Sequence, residues 1–463
     1  VGAALQELPS LGDSASSIVS LNQEYVAGRA WLRMLRGQAP IVSDPLLNEY
    51  ITHLTYHLAS YSELDQRQLE IVIINNSAIN AFAVPGGVLG INAGLLLHAE
   101  TEAELAAVLA HEIAHLSQRH FARNVEKSRR SQWTTVAALI ASVALLASGD
   151  NADAGMAALL TTQAASLQSQ LSFSRQNERE ADRFGMVTLA NAGKDPSAMP
   201  RFFERLHKAT RTYSEAPPEF LLTHPVTESR ISDSYNRVMQ LPAAESEPSL
   251  DFALMKARVE ASYAEDRVKN ISRFEIRARM AKDPISKTAA QYGLVRTLLK
   301  NNKYEDAITA LKPLRNADPN RVIYMVTESE ILMAQAKYID AQKVLEAGLA
   351  IVPDSYALQV YHAQVLLRTN NPERATAALE NLLLERPSNP QLWRLLSEAH
   401  GATGNIVGVH EARAEVFFLH NRNDQAIQQL KYALTLTKEN FQRSAKIKRR
   451  MMEIQKHKSD LRV

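Results

Sequence analysis

The sequence predicts two architectures in series: an α+β domain, mostly helical with a small sheet, and then an all-α solenoid. Three observations predict this. Short β-branched clusters between Leu69 and Ala99 are punctuated by "NNS" and "PGG", which reads as strand, turn, strand, turn, strand. An alanine-rich stretch of helical character follows directly. From about Leu250 onward no strand signal is convincing, and proline and alanine recur every 34 residues.

The 463-residue chain is too long for one core. We expect a first domain over residues 1–240, a linker over 241–249 ("LPAAESEPS") and a repeat domain over 250–463. Composition is that of an ordinary globular protein, 46% hydrophobic and 22% charged. A net charge of +2 gives no global argument for a nucleic-acid partner. The absence of cysteine excludes disulfides, thiolate metal ligands and a thiol nucleophile.

The elements follow in order. Val1 to about Asp65 reads as a polar arm and then helices. The chain starts at Val1 rather than Met, and our expectation is a secretory leader already removed. After the strands, Thr101 and Glu104 form a capping box, so a helix should start at Glu102 and run to about Val125. "WTTVAALIASVALLAS" (133–148) is a charge-free run of 16 residues, short of the roughly 20 a spanning helix needs. With "MAALLTTQAASL" (156–167) it reads as a buried helical hairpin; the sharper reading is peripheral contact of 133–167 with a membrane or an apolar substrate.

The chemistry lies in "AVLAHEIAHLSQRH" (107–120). His111 and His115 are four apart and share one helix face, so both rings can reach one ion. Glu112 is rotated by about 100° from His111, beside such an ion, where it can take a proton from water. H-E-x-x-H on a helix is a zinc-hydrolase signature. A catalytic site needs a third protein ligand and an open position. "SFSRQNEREADRFG" (172–185) offers Glu178, Glu180 and Asp182. Glu178 and Asp182 share a face and Glu180 points away, so Glu178 reads as the ligand. Asp182 reads as its companion, accepting the free N–H of a ligating histidine. His98, His120 and His207 read as non-ligands, with His120 turned well off the ligand face.

"HEIAH", then "ExxAD" in "NEREADRFG", with "NAFAVPGG" (80–87) upstream, resembles the M48 family of zinc metalloproteases over roughly residues 45–235. The resemblance implies a zincin-like fold and one zinc ion per chain. It implies His111, His115 and Glu178 as ligands, Glu112 as catalytic base and Asp182 as a second acid. His224, in "LLTHPVTESR", is similar to a family histidine that can approach the zinc. There it would act as a fourth, inhibitory ligand or as a donor to the oxyanion. The strands in Asn80–Asn92 are the candidates for holding an extended peptide, Val88–Asn92 included.

Proline at 319, 353 and 387 and alanine at 307, 341 and 375 keep the 34-residue period, which resembles tetratricopeptide repeats. Val409 stands where the next alanine is due, and the pattern restarts at Ala426, half a period on. We therefore expect about four repeats with one irregular junction, and a concave face for partners. An M48 protease joined to such repeats, without spanning helices, implies a periplasmic enzyme of a Gram-negative bacterium. Its implied partners are outer-membrane β-barrel proteins, the barrel-assembly machinery and unfolded substrates. The competing expectation is a chaperone or scaffold whose zinc site is silent. The basic tail 446–458 reads as a solvated helical face.

Overall fold

The computed structural model describes residues 20–127, 174–212, 218–242, 248–263 and 266–460. The hairpin expected at 133–167 and most of the expected linker lie outside them. The chain divides into two compact units. The first holds residues 1–32, 38–42 and 51–248; the second holds 33–37, 43–50 and 249–463.

In the first unit a three-stranded sheet forms from β1 (Glu70–Ile74), β2 (Ala81–Val84) and β3 (Val88–Asn92). The spatial order is β1-β3-β2, with β1 parallel and β2 antiparallel to β3. The β2–β3 turn is Pro85-Gly86-Gly87. Both glycines have positive φ, +79° and +75°, and a Cβ on Gly86 would strike the backbone of Glu24 and Tyr25. Helices α1 (Leu21–Gln38) and α2 (Pro45–Ser60) precede the sheet.

After β3 come α3 (Ala93–His98), α4 (Glu102–Ser117), α5 (His120–Lys127), α6 (Arg175–Asn191), α7 (Ala198–Thr212), α8 (Glu219–Thr223) and α9 (Glu228–Val238). The Thr101 hydroxyl accepts from the Glu104 amide, which opens α4 at Glu102. Residues Ala103–His115 are all buried, so α4 is the central helix of this unit. The expected continuation to Val125 fails: α4 ends at Ser117, Arg119 is left-handed with φ 48°, and α5 restarts at His120. A left-handed non-glycine residue is costly, and here it turns the chain without Gly or Pro to announce it.

The second unit carries twelve described helices between Leu250 and Asp460: α10 (Leu250–Tyr263), α11 (Arg267–Met280), α12 (Pro284–Lys300), α13 (Tyr304–Ala317), α14 (Val322–Ala334), α15 (Tyr338–Ile351), α16 (Tyr356–Arg368), α17 (Pro372–Glu385), α18 (Pro390–Ala402), α19 (Ile406–Leu419), α20 (Asn423–Leu436) and α21 (Phe441–Asp460). Four repeats of two helices would account for eight of these twelve. Ala307, Ala341 and Ala375 are fully buried, as close helix approach requires. Left-handed residues close the intra-repeat turns every 34 positions: Asn302, Ala336, Asn370 and Gly404. At each, the next amide reaches five residues back, as in Lys303 to Leu298 and Lys337 to Leu332. The same turn recurs at Asn421, only 17 residues after Gly404. The irregular junction is therefore a tight turn replacing a proline-bearing loop, with no helix lost. No helix among the described residues is long and apolar enough to cross a membrane.

Candidate metal centre

Two helices supply most of the site. His111, Glu112 and His115 project from α4, and Glu178 and Asp182 from the first turns of α6. The helices approach closely because α6 carries Gly185, where a Cβ would lie 3.2 Å from the His111 amide nitrogen. Ser174 caps α6 through the Asn177 amide and fixes the register that aims Glu178 inward. His224 follows α8, whose entry is held by the Phe220 amide on the Ile79 carbonyl and by Glu219 accepting from Asn80 and Asn92.

His111, His115, Glu178 and His224 are buried and converge, with one donor atom from each lying within 4.8 Å of the others. His115 Nε2 and His111 Nε2 are 3.0 Å apart, and each lies 3.5 Å from a Glu178 oxygen. His224 Nδ1 is 3.4 Å from His111 Nε2 and 3.1 Å from Glu178 Oε1. Tetrahedral ligands at ~2.0–2.1 Å from an ion stand roughly 3.3 Å from one another, so these separations fit one small cation. Glu112 lies beside the group, 1% exposed, with neither oxygen in a well-aligned hydrogen bond. Its nearest polar neighbours are His224 Nε2 at 3.4 Å and the backbone of Ala83. A buried carboxylate left this way calls for a partner, such as a water or substrate N–H.

The electrostatics divide the acids. Burial raises the pKa of Glu112 above the ordinary carboxylate range, against the pull of His224 and His111. Burial also pushes Glu178 and Asp182 up, but the charge interactions and hydrogen bonds around them outweigh it, so both are lowered. The leading partners are His224 and Arg230 for Glu178, and Arg230 for Asp182. Burial pulls His111 down; its hydrogen bonds to Asp182 and Glu178 prevail and raise it to about 9 in the metal-free chain. Burial and the His111 charge hold His115 well below its usual value.

Asp182 Oδ1 is 3.0 Å from His111 Nδ1, the nitrogen that faces away from the cluster. Arg230 was not anticipated. It is 3% exposed, donates from Nε and Nη2 to Asp182 at 2.8 and 2.7 Å, and approaches Glu178 at 2.9 Å. Its one signal is local: Thr227 caps α9, and a cation in the first turn opposes the helix dipole unless acids face it. His120 is not among the four converging donors; because α4 breaks at Arg119 it folds back, and its Nδ1 lies 2.9 Å from His115 Nδ1. Glu180, expected to point away, meets His120 Nε2 at 3.3 Å and Arg123 at 3.1 Å. Val88–Asn92 is corrected too: β3 is the central strand, paired on both sides, and cannot accept a peptide.

A buried H-E-x-x-H helix faced by a carboxylate from a second helix is the arrangement of a metal-dependent peptidase. Residues 45–237 match peptidase family M48, and residues 332–399 match a tetratricopeptide-repeat family. The chain is 37% identical over 432 residues to the β-barrel assembly-enhancing protease of Escherichia coli K12, covering 93% of this chain and 88% of that protein. The protein of the same name from Yersinia pestis is 34% identical over 421 residues, 91% of this chain and 86% of its own length. The mitochondrial metalloendopeptidase OMA1 of Arabidopsis thaliana is 33% identical over 172 residues, 37% of this chain and 32% of that one. The chain belongs to peptidase family M48, as a metalloendopeptidase with C-terminal tetratricopeptide repeats.

Proposed function

We propose that this chain is a periplasmic zinc endopeptidase that degrades misassembled outer-membrane β-barrel proteins and assists their assembly. The observation that carries the metal assignment is the buried group of His111, His115, Glu178 and His224, with Glu112 beside it and no well-aligned partner on either oxygen. Histidine and carboxylate donors in near-tetrahedral separation suit zinc, one per chain. The barrel-assembly role is supported by the names of the relatives that match most of the chain.

Zinc, when bound, polarises the scissile carbonyl and makes water more acidic. The residues then divide the work. His111, His115 and Glu178 would hold the ion. Glu112 takes the proton of the attacking water and passes it to the leaving nitrogen; its raised pKa suits both steps. Asp182, braced by Arg230, fixes the ring of His111. His224, the fourth member of the donor group, would hold the ion too in the resting enzyme and make it latent.

The open edge of β2 holds the substrate. The Asn92 amide donates to the Asn80 carbonyl, so hydrogen-bonded pairs fall at 80/92, 82/90 and 84/88. The backbone groups of Ala81 and Ala83 therefore face away from β3, and among the described residues no strand covers them. An extended peptide pairing there is read nearly independently of sequence, which suits misfolded β-proteins.

With a protease domain taken as 1–240, a linker as 241–249 and the repeats as 250–463, the repeats dock the assembly machinery and its clients. Glu112→Gln tests the hydrolase. It should lower cleavage of an unfolded protein by roughly 10²- to 10⁴-fold with zinc content unchanged. Undiminished cleavage contradicts the assignment, whereas unaltered barrel assembly by the dead variant favours the rival scaffold role.

A further inference from the structure

The two α4 histidines in the donor group are braced differently on their outer nitrogens. His111 Nδ1 meets a carboxylate, Asp182. His115 Nδ1 meets a third imidazole, His120, which is fully buried. His120 in turn meets Glu180, and Glu180 is held by Arg123. The left-handed backbone at Arg119 makes this contact possible, since an unbroken helix would carry His120 off that face.

The reading that His115 binds the metal through Nε2 fixes every proton in this row. With Nε2 committed, Nδ1 of His115 carries hydrogen and must donate. The acceptor 2.9 Å away is His120 Nδ1, which must then offer its lone pair. His120 therefore carries its hydrogen on Nε2 and donates to Glu180 Oε2. We propose that His120 is a positioning residue for the metal centre, holding the His115 ring and its tautomer through a row that ends at Glu180 and Arg123. Such outer partners typically contribute 10- to 100-fold in metal affinity.

The proposal rests on the metal-ligand reading of His115, and the test separates the two. Zinc affinity of the full chain is measured by competition with a chelator for wild type, His115→Ala, His120→Leu and His120→Gln. The ligand reading fails if wild type binds no zinc or if His115→Ala binds as wild type does. The positioning role predicts that His120→Leu binds roughly 10- to 100-fold more weakly. His120→Gln, whose amide can accept from His115 and donate to Glu180, should recover most of that loss. Affinity of His120→Leu within about threefold of wild type overturns the role. Should His120→Leu not fold, the ¹⁵N-histidine spectrum of the zinc-loaded wild type decides: hydrogen on Nε2 of His120 supports the proposal, and hydrogen on Nδ1 overturns it.

Discussion

The metal centre and the buried ion cluster of the repeat unit place similar groups under similar burial, with opposite outcomes. In the repeats, Arg258 is 2% exposed and every direction of its guanidinium is answered. It donates to Glu330 at 2.9 and 3.1 Å, to the hydroxyls of Tyr292 and Tyr361, and to Asp44. Glu330 is shared with Arg296 and the Tyr361 hydroxyl, and these cations, against the cost of burial, lower its pKa to about 2. The centre beside Glu112 instead gathers three imidazoles and a carboxylate around one point and leaves Glu112 without a well-aligned donor. A closed network of this kind stabilises a fold. An open one keeps donors and an acceptor ready for something that is not part of the chain.

That contrast can be broken from either side. The largest effect belongs to the closed network. Arg258→Ala removes the guanidinium shared by Glu330 and Asp44, leaves Glu330 only Arg296 and Tyr361, and should cost about 3–5 kcal/mol of stability. Thermal or denaturant unfolding of the full chain reads it. A small change from Arg258→Ala would make the cluster ornamental. Next is the substrate edge. Ala81→Pro removes one outward N–H from β2 without breaking a bond to β3. It should lower kcat/KM by roughly tenfold, the worth of about one hydrogen bond, with zinc retained. Unchanged turnover would move peptide binding elsewhere. The smallest effect is at His224. His224→Ala should raise proteolysis several-fold if the fourth ligand restrains the resting enzyme, in line with relief of an occupied open position. A plain loss of activity assigns His224 to oxyanion stabilisation instead.

What the sequence disclosed follows the range of each interaction. The capping of α4 by Thr101 spans three residues and the His111–His115 pairing spans four, so both were legible as pattern. The 34-residue repeat was legible because helix–helix approach demands a small residue at one place in each unit. Glu178 could be picked out by residue type and helical spacing, although it arrives from a distant segment. The break at Arg119 was not legible, because neither Gly nor Pro marks it and Arg rarely adopts φ 48°. The consequence was large: the contacts from His115 to His120 and from His120 to Glu180 could not be read from the sequence. Arg230 was hidden for another reason. It reaches Asp182 across 48 residues of sequence, and only the fold sets that distance. The strand order β1-β3-β2 was equally silent, since local signals identify strands and turns but not which strand takes the middle.

The central claim is that four buried donors form one zinc site. The direct measurement is zinc bound per chain, and its pH dependence, for wild type and Glu178→Ala. The account predicts one equivalent in the wild type. Because His111 holds its proton up to about 9 in the metal-free chain, binding must displace that proton. Affinity should therefore weaken by about tenfold for each pH unit below that value. Glu178→Ala should bind far more weakly at every pH. A wild-type chain that binds no zinc, or binds it equally well without the carboxylate at 178, would contradict the account.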